Sequence, residues 1–321
     1  MIIIEYLLSS DEPAIRLGML QKILEKDLSS EEVKSALEAL VNSSRVKILL
    51  SEREADGRIP WHPYTKWLGA HWVLSLLADL GYPSGDQSLL PLTLQVCDWL
   101  LSEDHKKHIR LIDGRVRRCA SQEGNALYSM LTLGLDQNGW ADELASRLMR
   151  WQWPDGGWNC DKNPTASHSS FMESLIPLRA LSLYARIKDD DAARQAATQA
   201  ADIFLKHHLF KRLSDGSVIH PEFIQLHYPC YWHYDILFAL KVMGEAGFLQ
   251  EERCREALDL LETRRLPDGG WPADFAYYHV TDRPVSGRSK LAWGPVRKHL
   301  MNEFISVDAL AVLRKAGRIV L

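Results

Sequence analysis

An all-α fold built from helical hairpins is what this sequence predicts, and three observations carry it. Apolar residues recur at three- and four-residue spacing along most of the longer segments. Alternating apolar–polar runs of strand type are missing. One turn sequence occurs twice: residues 151–161 read WQWPDGGWNCD and residues 264–274 read RRLPDGGWPAD, 113 residues apart from Asp155 to Asp268. In each, proline stops the preceding helix, aspartate caps, and paired glycines permit positive φ. The tryptophan that follows is large enough to wedge between neighbouring hairpins.

Residues 1–57 read as short helices. Asp11-Glu12-Pro13 is a helix start, with Ile15, Met19 and Ile23 on one face. Ser29-Ser30-Glu31-Glu32 begins the next, with Val33, Leu37 and Leu40 as its stripe. Residues 59–63, IPWHP, form a loop rich in aromatics and proline. Five apolar helical segments follow: 65–80 closed by Gly81, 121–133 closed by Gly134, 168–185 with Pro177 as a kink, 231–243 closed by Gly244, and 302–315 closed by Gly317. Between them, 89–101, 141–151, 191–206 and 252–261 are amphipathic and richer in charge. Residues 276–298 have no helical period, and a loop that long is usually functional or mobile.

A net charge of −4 gives no reason to expect nucleic-acid binding. Five scattered cysteines and no signal peptide point to reduced thiols in a cytoplasmic protein. The opening MIIIEYLL is too short for a signal sequence and is broken by Glu5, and no run approaches a membrane span.

From about Trp61 onward, the DGGW turns between helices resemble the QW-type motif of terpenoid cyclases and the GG-W/F turns of protein prenyltransferases. That resemblance implies an α/α toroid of five to six hairpins. Residues 58–321 would be the toroid, and residues 1–57 hairpins that pack on it or complete it. The five apolar segments would form the inner ring and the charged ones the outer ring. It also implies an enzyme with a small-molecule, isoprenoid substrate, although a fold does not fix a chemistry. The DxDD acid of class II cyclases is missing: Asp189-Asp190-Asp191 runs into Ala192-Ala193 and reads as a helix cap. No DDxxD run is present either.

In a toroid the cavity is lined by the starts of the inner helices. The polar residues there are Arg118, Cys119 and Glu123; Cys160, Asp161, His168 and Glu173; and His227, Cys230, His233 and Asp235. Asp161, His168, His233, Asp235 and Glu123 are the expected acid/base groups, each titratable at a helix start. Arg118, Glu173 and His227 are expected to hold substrate, against an aromatic wall of Trp158, Tyr231, Trp232 and Tyr234. The competing reading makes the acids first-turn residues and caps, which favour helix starts in any case.

Cys230 and His233, three apart on one helical face, together with Cys160, Asp161 and His168 make a candidate zinc set. Protein prenyltransferases place Asp, Cys and His at comparable helix mouths. Here Cys160 and Asp161 are adjacent, and Asp-x-Cys-Tyr is missing.

Two other functions compete. One is a carbohydrate-active toroid, lyase or hydrolase, with tryptophans stacked on sugar rings and paired carboxylates for acid/base work. The other is a non-catalytic toroid that binds a ligand or partner. An aromatic, apolar cavity favours the isoprenoid reading, an open Trp-floored polar groove the carbohydrate reading, and a filled channel the binding reading.

Overall fold

The computed structural model describes residues 2–283 and 285–319, so Pro284 of the 276–298 insert lies outside the described residues. Helices dominate. In chain order they are α1 (Ile2–Leu8), α2 (Pro13–Gly18, continued by a π-helical turn, Met19–Ile23), α3 (Glu31–Val41), α4 (Ser44–Leu49), α5 (Ala70–Leu80), α6 (Leu90–Leu100) and α7 (Glu103–Lys107). They continue as α8 (Ser121–Thr132), α9 (Trp140–Trp151), α10 (Phe171–Lys188), α11 (Asp191–Lys206), α12 (Ile236–Ala246), α13 (Arg255–Thr263) and α14 (Glu303–Lys315). Strands are confined to two two-stranded pairs: antiparallel β1 (Arg110–Ile112) with β2 (Arg115–Arg117), and parallel β3 (His279–Val280) with β4 (Arg288–Ser289). No helix of the described residues is long and apolar enough to cross a membrane.

Local chemistry sets most boundaries. Ser30 caps α3, Asp190 caps α11, Asp235 caps α12 and Asn302 caps α14, each side chain accepting the backbone N–H three residues on. Two helices start five residues later than expected, and α10 three. The segment expected from Tyr231 begins at Ile236, because Tyr231 holds φ at 53°, which no α-helix can pass through. It closes at Gly247 rather than Gly244, which stays inside the helix. The segment expected from Thr65 begins at Ala70, after a turn through residues 65–69.

α5, α8, α10, α12 and α14 pack in succession, each on the next, and α14 also packs on α2 and its π-helical turn. Each of α5, α8, α10 and α12 carries an amphipathic partner on its far side: α6, α9, α11 and α13. The patterning explains the division. α5 is buried at every position but Asp79, whereas α9 buries Ala141, Leu144, Ala145, Arg147 and Leu148 and leaves the rest towards water. The α8–α10 contact depends on Gly124, where a Cβ would meet Ile176 and the Pro177 nitrogen at 2.9 Å.

The two DGGW turns share their backbone and indole hydrogen bonds, though Asp155 accepts from Ser169 and Asp268 from the Gly270 N–H. Trp153 and Leu266 N–H donate to Gly157 and Gly270 O, both at 2.8 Å, across glycines at φ 105° and 90°. The next tryptophan is fully buried in both, its indole N–H donating to the carbonyl ten residues back: Trp158 to Leu148 and Trp271 to Leu261. Their backbone N–H groups then donate to Ser174 and Ser306 hydroxyls on α10 and α14. Trp158 and Trp271 are therefore seam residues. A third turn of the same form, unrecognised in the sequence, lies at Asp56-Gly57, with Glu54 N–H to Arg58 O at 2.8 Å.

The C-terminal half of this helix set is closed by ions. Arg179 on α10 pairs with Asp79 on α5 (2.8 Å) and Glu245 on α12 (2.6 Å), and Lys241 on α12 and Lys22 on the π-helical turn share Asp308 on α14. Tyr228, from the loop before α12, stacks on Phe304 and fills the space between α2, α5 and α14, leaving about 40 Å³ there. The space around Tyr228 is thus filled, while a groove of about 370 Å³ opens nearby, lined by Lys22, Lys241, Glu245 and Asp308 among others.

Candidate functional site

A larger open space than any at that end lies at the helix starts. A groove of about 550 Å³ is lined by Trp61, His62, Tyr64, Thr65 and Lys66 from the loop before α5, by Trp99 on α6, and by Val285, Ser286 and Arg288 of the insert. The Arg288 guanidinium lies 5.4 Å over Trp61, and the Lys66 ammonium lies 4.8 Å over Trp232. Burial pulls the Lys66 pKa below its ordinary value. Trp99 contacts His62, Tyr64, His71 and His105 at ring distances of 5.0–5.9 Å.

Behind Tyr64 stand two polar sets. In the first, Arg118 donates to Glu123 Oε1 through Nε (3.0 Å) and Nη2 (2.9 Å), to Gln122 (2.6 Å), and abuts His105 Nε2. Glu123 is fully buried, and its Oε2 has no partner. In the second, Cys119, Cys160 and Glu173 bring one Sγ or carboxylate oxygen each within 4.8 Å of one another. Ser121 N–H donates to Glu173 Oε2 at 3.0 Å, and Cys160 Sγ lies 3.6 Å from Oε1. Burial raises the Glu173 pKa. A Cys119–Cys160 thiol contact raises Cys119 and lowers Cys160, as expected when the first donates to the second.

Beside these runs an aromatic stack. Trp67 lies parallel to Tyr231 at 3.6 Å, and His233 lies between Trp232 (3.9 Å) and Tyr277 (3.2 Å). Burial holds His233 neutral, its pKa pushed down to about 2, and takes His71 down to about 3. The loop carrying this stack is tied to α8 by Asn125 Nδ2–H to Tyr231 O.

The residues expected from the sequence divide accordingly. Arg118, Glu123, Cys160 and Glu173 come together, and Tyr231, Trp232 and His233 form a wall beside them. Asp161 and His168 do not join them. Both are exposed, Asp161 accepting the Asn163 N–H in an Asx turn and the His168 carbonyl accepting from Asn159. Asp235 caps α12 and lies 2.8 Å from His227 Nδ1, both fully buried. Trp158 and Tyr234 pack seams instead of lining the groove, Tyr234 among Phe171, Phe204 and Phe223 with its hydroxyl on Leu209 O.

The five-residue zinc set is likewise dispersed: Cys230 lies under the His227 carbonyl, and His233 is held in the stack. Cys230 and His233 share no helical face, because that stretch is not helical. Sequence reading passed over Tyr64, Trp99, His105, Tyr277 and Arg288. The aromatic loop at 59–63 and the aperiodic insert were the available signals.

No protein-family model and no curated protein matches this sequence. Among solved structures, a type II terpene cyclase from Scytonema, in complex with geranylgeranyl dihydroxybenzoate, is similar at 16% identity, over 88% of this chain and 98% of that chain. Its TM-score is 0.26, too loose a superposition to carry residues or chemistry across.

Proposed function

We propose that the protein is an α/α toroid enzyme that handles an isoprenoid, holding an anionic head group between Lys66 and Arg288 and an apolar chain along Trp61, Tyr64 and Trp99. The observation that carries this is the lining of the groove. It combines two cations with three aromatic side chains and, among its described residues, no carboxylate. A glycoside hydrolase needs two carboxyl groups flanking the bond to be cleaved. The groove is open and Trp-lined, which favours a sugar, but its titratable groups suit an anion. Its size is within the range of small-molecule sites.

The toroid reading rests on the succession of hairpins and on the packing of α14 against α2, which lets residues 1–57 complete a ring with residues 58–321. Of the acid/base groups expected from the sequence, Glu123 keeps that role in this proposal. It stands with Arg118 and His105 behind Tyr64, while His233 serves as a neutral, aromatic wall.

Thermal shift with farnesyl diphosphate, farnesol and a cello-oligosaccharide tests the reading. A ligand at 100 times its Kd adds about 2.7 kcal/mol of stability, a readily measured shift. Stabilisation by the diphosphate above that by the alcohol is the expected result. Stabilisation by the oligosaccharide alone would transfer the groove to a carbohydrate enzyme, and no response to any of them would leave a binding module for another partner.

A further inference from the structure

We propose that Cys119, Cys160 and Glu173 bind a thiophilic divalent cation, Zn(II) foremost, with one coordination position left free.

The backbone brings the three residues together from separate elements. Arg117 and Asn159 form a parallel bridge, and Arg118 N–H donates to Asn159 O at 3.2 Å. The segments leading to Cys119 and Cys160 therefore run side by side, one residue out of step, and the two sulfurs come within 4.8 Å of each other. Glu173, in the first turn of α10, is held by the Ser121 N–H on Oε2, which leaves Oε1 turned to Cys160. An outer hydrogen bond that orients a ligating oxygen in this way is usual in metal sites.

The spacing suits a tetrahedral ion. Zinc lies about 2.3 Å from thiolate sulfur and about 2.0–2.2 Å from carboxylate oxygen. Two such bonds at the tetrahedral angle put sulfur and oxygen about 3.5–3.7 Å apart, and two Zn–S bonds put the sulfurs about 3.8 Å apart. Cys160 Sγ and Glu173 Oε1 are 3.6 Å apart, and all three donor atoms lie within 4.8 Å of one another.

The ion offsets most of the ligand charge: two thiolates and a carboxylate carry three negative charges and Zn(II) returns two, with Arg118 beside them shared with Glu123. Arg118 acts electrostatically on both Glu173 and Cys119, and its guanidinium is fixed by Glu123 and Gln122. Three protein ligands and a free position is the arrangement of catalytic rather than structural zinc. Tyr64, which lines the groove, has Cys119 and Glu173 among the groups that act on it electrostatically, so the cluster lies behind that wall of the groove. Metal occupancy does not depend on what the groove binds.

The test uses the full chain, purified reduced and metal-free, then loaded with ZnCl2 or CoCl2 and desalted. One metal ion per chain is expected, with thiolate-to-cobalt charge-transfer absorption in the Co(II) form. Cys119→Ser and Cys160→Ser should each weaken binding at least about tenfold and remove that absorption. Cys230→Ser should keep both, because that thiol belongs to the loop packed in the interior. Trace metal only in the parent protein, cobalt bound without charge transfer, or loss in Cys230→Ser but not in Cys119→Ser would each overturn the proposal. So would a thiol count two short in freshly purified, unreduced protein that persists through metal loading, since Cys119 and Cys160 would then be a disulfide. Should a serine variant fail to fold, the cobalt spectrum of the parent protein decides alone.

Discussion

The two ends of the helix set are built on opposite rules. At the C-terminal half every buried ion named above has a partner: Arg179 between Asp79 and Glu245, Asp308 between Lys22 and Lys241. At the helix starts, buried polar atoms go without. Both ring nitrogens of His71, Glu123 Oε2, Trp232 Nε1 and His233 Nδ1 have no hydrogen-bond partner within the protein. Each such atom costs about 1–3 kcal/mol unless an ordered water, an ion or a ligand satisfies it, and Thr93 Oγ1 and Ser182 Oγ, away from the groove, are unpartnered too. One end holds the fold; the other is, in the proposed function, the end that takes the ligand.

A large effect is expected at the closed end. Arg179→Met leaves Asp79 and Glu245 facing each other without their shared cation, and breaking a buried pair this way costs about 3–5 kcal/mol. Glu245 is about a third exposed and can rehydrate, which places the value towards the lower figure. Urea unfolding measures it. A loss below about 1 kcal/mol would mean that packing, not the ion network, closes that end.

Trp158→Ala and Trp271→Ala should each cost about 3–5 kcal/mol, since both rings are fully buried and both indoles are hydrogen-bonded. Because the two tryptophans make the same hydrogen bonds, the two losses should be similar. A tolerated change at one would show that the ligand end relies on a single turn.

How much of this was legible in the sequence depends on how local the cause is. α8, α11 and α14 begin within one residue of where capping and periodicity put them, and Trp158 and Trp271 sit at the seams their glycine pairs require. The start of α12 was misplaced, because the left-handed Tyr231 leaves no mark in residue type. Its consequence was larger: once residues 226–235 are a loop, Tyr228 can fill the interior and Cys230 and His233 no longer share a face. The Cys119–Cys160–Glu173 cluster needed the Arg117–Asn159 bridge, a pairing between short irregular segments. The groove needed Trp61 and Arg288, which lie at opposite ends of the chain and meet only in the fold.

Acid should reach the two ends in sequence. His71 and His233 have folded pKa values of about 3 and about 2 against an ordinary 6.5. In the unfolded chain both take protons as pH falls below 6.5, while the folded protein does not. Stability is therefore full above 6.5 and falls as pH drops, by up to about 1.4 kcal/mol per pH unit for each group. Between pH 6.5 and 5 this amounts to about 2 kcal/mol each. Asp79 and Asp308 are held below the usual carboxylate range, so their contribution is lost only below about pH 4. Urea midpoints at pH 7 and pH 5 should differ, and His71→Leu should narrow the gap. Equal midpoints in the parent protein would mean that water reaches these histidines and lets them charge.

The smallest change in stability, and the sharpest separation of the two ends, is expected at Lys66. Its ammonium gains from the faces of Trp67 and Trp232, an interaction worth about 0.5–1 kcal/mol near a surface. Its lowered pKa records an opposing desolvation cost. Lys66→Met removes both and keeps the stem that packs on the rings, so unfolding free energy should move by no more than about 0.5 kcal/mol. Binding should respond differently. If the cation holds an anionic head group, the methionine variant loses affinity for farnesyl diphosphate and retains whatever affinity the parent has for farnesol. Its remaining binding should also depend less on salt, because one screened charge pair is gone. Lys66→Arg should restore part of the loss, and Arg288→Met should reproduce it from the opposite side of the groove. A Lys66→Met protein that binds the diphosphate as the parent does, with unchanged salt dependence, would remove the head-group role. One that unfolds several kcal/mol more easily would show that this end, like the other, is built for stability.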